Sequence, residues 1–271
     1  MRIDFIKMHG LGNDFVVLDA RAQSLPAMTG GLAAALADRK TGLGCDQLIL
    51  LEPSSVADLR MRIFNADGGE VEACGNATRA IGLLHGEPAT IETLGGILVT
   101  SPADGGVAVD MGVPRFGWDE IPLDYAVDTL TMPVGWEELA DPTAVNVGNP
   151  HVIFFVPDCD KVDLARLGPL IEHDPLFPDR VNVNIATVAT RDSIRLRVWE
   201  RGVGETRACG TGACATAIGA MRRGLAGRSV TVTLAGGPLA IAWREDGHIV
   251  MTGAAQESFR GSFDAADFGA A

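Results

Sequence analysis

The chain has 271 residues and a mass of 28.4 kDa, with 22 Lys and Arg against 35 Asp and Glu, a formal charge of −13 at pH 7. That balance argues against a nucleic-acid partner, which needs clustered cations for its phosphates, and 47% hydrophobic against 21% charged residues excludes a disordered chain. No apolar run approaches the roughly 18 residues of a membrane span, and no long apolar core follows Met1 as in a secretory signal. The five cysteines (Cys45, Cys74, Cys159, Cys209, Cys214) are too few and odd in number for a disulfide framework. Cys209 and Cys214 lie five apart and no C-x-x-C occurs, so no metal site is expected. These features together place the protein in the cytoplasm.

Residues 1–8 alternate charge and bulk and read as a strand, as do 16–18 and 47–51, with a short helix over 32–39 between them. Leu59, Met61 and Ile63 alternate with arginines, the period-two pattern of a half-buried strand. Residues 76–84 follow as a helix ending near Gly86, then a strand over 107–109. The stretch 114–142, rich in proline and acidic residues and carrying two of the four tryptophans, reads as a crossover. Beyond it come a strand over 152–156, a helix over 164–172, an alternating strand through Ile194, Leu196 and Val198, and a helix over 211–223 ending near Gly224. Strands over 230–233 and 239–243 complete the series.

The chain repeats itself. Residues 59–75 align with 194–210 at an offset of 135 (209 − 74), with Arg60/Arg195, Arg62/Arg197, Gly69/Gly204, Glu70/Glu205, Ala73/Ala208, Cys74/Cys209 and Gly75/Gly210 identical. Phe64/Trp199 is a like pair, and Gly12-Asn13 matches Gly148-Asn149 at an offset of 136. Thr93-Leu94-Gly95-Gly96 resembles Thr233-Leu234-Ala235-Gly236-Gly237 with one insertion. The fold expected is therefore mixed α+β, built as two similar pseudo-symmetric lobes, each a mixed sheet wrapped around a central helix, with the active site in the cleft between them.

Cys74 and Cys209 each sit between a glycine-rich turn and the start of a helix. The unpaired N–H groups and partial positive charge there favour anions, both a thiolate and a substrate carboxylate. Two equivalent thiols suit one demand of stereochemistry. Inverting a carbon that bears hydrogen requires a base on one face and an acid on the other, with the roles exchanged in reverse. Preorganised donors must then stabilise the carbanion and water must be excluded. Cys45, Cys159 and Cys214 have no counterpart in the repeat and read as structural thiols.

Several ordered motifs carry a resemblance. They are His9-Gly10-Leu11-Gly12-Asn13-Asp14-Phe15, Gly42-Leu43-Gly44-Cys45-Asp46-Gln47, Asn65-Ala66-Asp67-Gly68, Ala73-Cys74-Gly75-Asn76, Gly148-Asn149-Pro150-His151, Arg180-Val181-Asn182 and the run from Glu200 through Thr206-Arg207-Ala208-Cys209-Gly210-Thr211. In order, from residue 8 to about 253, this series resembles the diaminopimelate epimerases, isomerases that work without pyridoxal phosphate and interconvert LL- and meso-diaminopimelate for lysine and peptidoglycan synthesis. The resemblance implies that Cys74 and Cys209 are the acid/base pair. It implies that Gly75-Asn76 and Gly210-Thr211 grip the reacting carboxylate, and that Asn13, Gln47, Asn65, Asn149 and Asn182 bind polar groups of the substrate. Glu200 and Arg201 would meet an ammonium and a carboxylate, while His151 and Glu200 would tune proton affinity at a cysteine. It further implies a homodimer, no cofactor and no metal, and a final segment that returns to the first lobe: residues 1–114 with 255–271, and 115–254.

Asn65 and Glu200 occupy equivalent places in the repeat (65 + 135 = 200), as if one scaffold had received unlike side chains to read an asymmetric substrate. Simpler roles stand beside these: turn formers for Asn13 and Asn182, a solvated pair for Glu200-Arg201, a structural imidazole for His151. The sequence departs from the family pattern at Ala77-Thr78, Ala80, Cys45 and the late turn at 234–238, none of which removes a proposed contact. Two competing activities are a racemase of the same fold acting on another amino acid and a thiol redox switch. A pyridoxal-phosphate enzyme is disfavoured, because only Lys7, Lys40 and Lys161 are available and none lies near a phosphate-binding glycine cluster.

Overall fold

The computed structural model describes residues 1–72 and 74–268; Ala73 of the repeated Ala-Cys-Gly motif and residues 269–271 of the expected first-lobe tail lie outside the described residues. The chain packs as two units, one made of Met1–Val109 with the stretch from Gly253 onward, the other of Asp110–Thr252.

The first unit runs β1 (Arg2–Gly10), β2 (Asn13–Asp19), α1 (Gly30–Ala37), β3 (Gln47–Glu52), β4 (Leu59–Asn65), β5 (Glu70–Val71), α2 (Gly75–His85), β6 (Ala89–Thr93), β7 (Gly96–Ala103) and β8 (Gly106–Asp110). β1 and β2 join through Leu11-Gly12, both at positive φ (57° and 88°), a two-residue turn whose backbone matches the strand twist and which brings Asn13 opposite Gly10. β2 runs parallel to β3, β3 antiparallel to β4, and β4 parallel to β6. Apolar runs in β2 and β3 bury both faces of the sheet. Val16, Leu18, Leu48 and Leu50 pack with Leu32 and Leu36 of α1, while Phe15, Val17, Ile49 and Leu51 pack with Ala77 and Ile81 of α2. α2 stops where Gly86 adopts φ 83° and returns its N–H to the Gly82 carbonyl.

The second unit runs β9 (Gly135–Trp136), β10 (Leu139–Ala140), β11 (Thr143–Asn146), β12 (Pro150–Phe155), α3 (Leu164–Glu172), β13 (Asn182–Thr190), β14 (Ser193–Glu200), β15 (Gly204–Thr206), α4 (Gly210–Arg222), β16 (Ser229–Leu234), β17 (Gly237–Trp243) and β18 (Ile249–Gly253). Its strand order copies the first unit: β12 parallel to β13, β13 antiparallel to β14, and β14 parallel to β16. α4 packs against β11 through β14, β16 and β17. α3 packs with Val152, Phe154, Val183 and Ile185. The stretch 114–142, expected as a crossover and counted with residues 115–254, packs into the core of this unit. Ile121, Leu123, Met132 and Leu139 join the α3 core, because the apolar residues between its prolines pack beside α3 with Val152, Phe154 and Val183. A last strand, β19 (Gln256–Asp264), pairs antiparallel with β1 of the first unit.

Two sets of contacts show how closely the units match. Arg62 and Glu70 form a bidentate ion pair across β4 and β5, and Arg197 and Glu205 form the same pair across β14 and β15. The Gly95 N–H donates to the Glu72 carbonyl at 3.0 Å, and the Gly236 N–H to the Arg207 carbonyl at 2.7 Å. The architecture is a mixed α+β fold of two similar lobes.

Candidate active site

In the first unit Cys74 is the N-cap residue of α2, in extended backbone (φ −146°, ψ 111°). Its Sγ lies 3.8 Å from the Asn13 side-chain oxygen, which also accepts from Asn76 Nδ2 at 3.3 Å. Asn76 is 3% exposed, and its own oxygen accepts from the guanidinium of Arg79, which is fully buried one turn further along α2. Gly10 leaves room for this cluster: a Cβ there would come within 3.3 Å of the Asn76 carbonyl oxygen. The Asn13 amide nitrogen donates to Asp46 at 3.1 Å, and this fixes its oxygen toward Cys74.

Asp14 and Asp46 each accept the other's backbone N–H, tying the starts of β2 and β3 together beside Asn13 and Gln47. Arg39 bridges both carboxylates and Lys7 reaches Asp14. Burial alone would raise the Asp14 pKa, but Arg39 and Lys7 hold it well below the usual carboxylate range. Nearby on the same sheet Gln47 stands opposite Asn65 and donates to its oxygen at 3.0 Å; the Gln47 oxygen is buried and has no hydrogen-bond partner among the described residues.

The second unit builds the corresponding place differently. Cys209 caps α4 (φ −129°, ψ 107°), is 4% exposed, and its Sγ accepts the Gly212 N–H at 3.4 Å, with the Thr211 hydroxyl 3.5 Å away. Burial, and next the Glu200 carboxylate, push the Cys209 thiol well above its ordinary pKa. Glu200 is itself raised by burial, moderated by hydrogen bonds from Thr206 and Cys209.

His151 is fully buried on β12 between two amides, with Nδ1 3.2 Å from the Asn184 oxygen and Nε2 3.0 Å from the Asn149 oxygen. Asn184 has no freedom to turn, since its nitrogen donates to the Gly212 carbonyl and the Thr216 hydroxyl of α4. Its oxygen must then take a proton from Nδ1, leaving Nε2 as the acceptor of a neutral ring, satisfied when the Asn149 amide presents its nitrogen. Burial lowers the His151 pKa to about 4, with Asn184 opposing and the Arg201 charge adding to the drop. Asn182 donates to the Pro150 carbonyl at 2.8 Å and accepts the Arg201 N–H at 3.0 Å.

The structure thus gathers Cys74, Asn13 and Asn76 in one cluster and Gln47 with Asn65 in another, then Cys209, Thr211 and Glu200, and finally Asn149 with His151 and Asn182 with Arg201. His151 reaches the first turn of α4 through Asn184. Asn184, Asp46 and Thr206 are additions that sequence reasoning misses. Asn184 shows a faint signal as the second asparagine of an Asn-Val-Asn alternation in a buried strand, whereas Asp46 needs the long-range pairing with Asp14 to stand out. Among the described residues no group of three His, Cys, Asp or Glu side chains is placed to hold a metal ion.

The family model described as diaminopimelate epimerase matches residues 5–117 and 143–257. The chain belongs to the diaminopimelate epimerase family. It is 69% identical to the diaminopimelate epimerase of Erythrobacter litoralis over 99% of this chain and 100% of that one. It is 65% identical to the diaminopimelate epimerase of Rhizorhabdus wittichii, covering 100% of this chain and 98% of the relative. Members of this family are isomerases, and no helix among the described residues is long and apolar enough to cross a membrane.

Solved structures share the fold at low identity. A phenazine biosynthesis protein of the PhzF family from Bacillus anthracis superposes with a TM-score of 0.69 at 17% identity, over 97% of this chain and 99% of that one. A probable proline racemase from Agrobacterium radiobacter superposes with a TM-score of 0.68 at 16% identity, over 97% of this chain and 93% of that one.

Proposed function

We propose that this protein interconverts LL- and meso-2,6-diaminopimelate by moving the α-proton between two cysteines, in the supply of lysine and of peptidoglycan precursors. The observation that carries this reading is the equivalence of Cys74 and Cys209, each an extended N-cap residue heading the central helix of its unit at the same place in the repeat. One cysteine as thiolate removes the α-proton while the other as thiol delivers a proton to the opposite face, and the roles exchange in the reverse direction. Burial and the Glu200 carboxylate push the Cys209 thiol above its ordinary pKa, which suits it to the proton-donating role. The first-turn N–H groups at Gly75-Asn76 and Gly210-Thr211 suit the reacting carboxylate, since both helix N-termini favour an anion. Asn13, Gln47, Asn65, Asn149 and Asn182 supply donors and acceptors for the remaining polar groups, and Glu200 with Arg201 the complementary charges.

The chemistry assigned to these residues needs no cofactor. The high identity to named epimerases over the whole chain supports diaminopimelate over a shorter amino acid as the substrate. The same reading makes the protein a cytoplasmic homodimer that binds no nucleic acid, in keeping with its net charge of −13.

The test is incubation with LL-diaminopimelate in D₂O, following α-deuteration and isomer ratio for the wild type, Cys74→Ala and Cys209→Ala. The wild type should deuterate and invert, and each variant should lose epimerisation by about 100-fold or more, the scale of general acid/base catalysis. Unimpaired inversion by either variant would discard the two-cysteine mechanism.

A further inference from the structure

Glu172 is the last residue of α3 and is 2% exposed, a placement that costs free energy twice over. Burying a carboxylate is unfavourable, and a negative charge at a helix C-terminus opposes the helix dipole. Arg180, 3.8 Å away, offsets part of this. The carboxylate is used in full: one oxygen accepts the Trp199 indole N–H at 2.7 Å, and the other accepts the Gly202 backbone N–H at 2.8 Å. Those two donors flank Glu200 and Arg201 on either side.

Every N–H of the turn that presents this pair is committed. Arg201 N–H goes to the Asn182 side chain at 3.0 Å, Gly202 N–H to Glu172, and Val203 N–H to the Glu200 carbonyl at 3.0 Å. One turn earlier on α3, Gly168 lies flat against the Trp199 ring, where a Cβ would come within 2.5 Å of it. The first unit provides an internal comparison. At the offset of 135, Trp199 corresponds to Phe64, whose ring has no N–H to satisfy, and Glu172 to Ala37, the last residue of α1. The acid and the indole are thus an addition of the second unit, which also holds the Glu-Arg pair.

We propose that Glu172 is a positioning residue: it fixes the turn bearing Glu200 and Arg201 so that both side chains meet the substrate in register. This rests on the function proposed above. The test compares full-length wild type, Glu172→Gln and Glu172→Asp by steady-state kinetics with diaminopimelate and by amide hydrogen exchange over residues 199–206. Glutamine offers one acceptor oxygen in place of two, so exchange in this segment should accelerate by about tenfold, the equivalent of roughly 1.4 kcal/mol. KM should rise by about 10- to 100-fold, the range expected for displacing a binding group by up to about 1 Å. Aspartate, shorter but doubly accepting, should fall between wild type and Gln.

A purely structural role would lower the active fraction, and with it kcat, while leaving KM in place. Wild-type KM in both variants, or unchanged exchange over 199–206, overturns the inference. A wild type that does not act on diaminopimelate would instead overturn the proposed function.

Discussion

His151 is neutral inside the fold, and that has a measurable cost in acid. In the unfolded chain the imidazole takes a proton near pH 6.5, but in the native state burial delays this to about 4. Above 6.5 both states are neutral and the residue adds no pH dependence. As pH falls through the window from 6.5 to about 4, the unfolded chain binds a proton that the native chain refuses, so stability is lost progressively and then levels off. At about 1.4 kcal/mol per pH unit the full loss is about 3 kcal/mol, a large share of a typical folding free energy.

Protonation inside the fold would add its proton at Nε2, where the Asn149 oxygen can accept it, so burial rather than a lost hydrogen bond opposes the charge. The assay is urea unfolding at intervals from about pH 7 to about pH 4 for the wild type and His151→Gln, since glutamine donates and accepts but does not titrate. Asp14, held below its ordinary value of 3.8, gives up its own contribution only as pH falls past that value, and it does so equally in both proteins. The difference between the two curves should grow by about 3 kcal/mol across the window, with the wild type losing more. Parallel curves would show that His151 accepts a proton in the folded chain as readily as in the unfolded one, and the buried-neutral assignment would fail.

Three further outcomes follow from the packing. Gly168→Ala should destabilise the chain by about 1–3 kcal/mol through the clash with Trp199, read as a lower Cm in urea. Gly68→Ala combines a φ of 86° with a Cβ that would run into the Gly30 carbonyl, so it should cost about 2 kcal/mol or more by the same measurement. Asp46→Ala removes the carboxylate that orients Asn13. Loss of a charged hydrogen bond of about 1.5–3 kcal/mol should lower kcat/KM for epimerisation by about 10- to 100-fold. A rise in KM without loss of fold, checked by circular dichroism, would place that effect on Asn13.

Much of this architecture is legible in the residues themselves, because the repeat is local in its parts. The alternation of Leu59 to Ile63 and of Ile194 to Val198 marks β4 and β14, and each Cys-Gly marks a helix start that the structure places within a residue or two. Helix ends follow glycine, as at Gly86. Part of what escapes lacks the alternation that sequence reading relies on. β7 and β19 are both largely exposed, and neither carries the clean alternation that one buried face imposes. β13 is buried on both faces along Asn182–Ala186 and lacks alternation for the opposite reason. In the site, the paired cysteines and their asparagines stand out by motif. Asn184, Asp46 and Glu172 do not, because their importance lies in partners 27 to 33 residues away in sequence, which only folding brings within hydrogen-bond reach. In the stretch 114–142 the packing is not legible, because its buried Ile121, Leu123, Met132 and Leu139 are too widely spaced to show a period.

β1 is hydrogen-bonded to β2 on one side and to β19 on the other, and the amino group of Met1 pairs with Asp264 at 2.9 Å. During synthesis β1 must therefore wait for β19, leaving an open sheet edge while the roughly 250 residues between them are translated. The second unit is continuous in sequence and has no such dependence, so it is able to complete on the ribosome before the first. A chain truncated shortly before Gln256 should accordingly keep one finished half and one with an unprotected margin, prone to pairing with its neighbours.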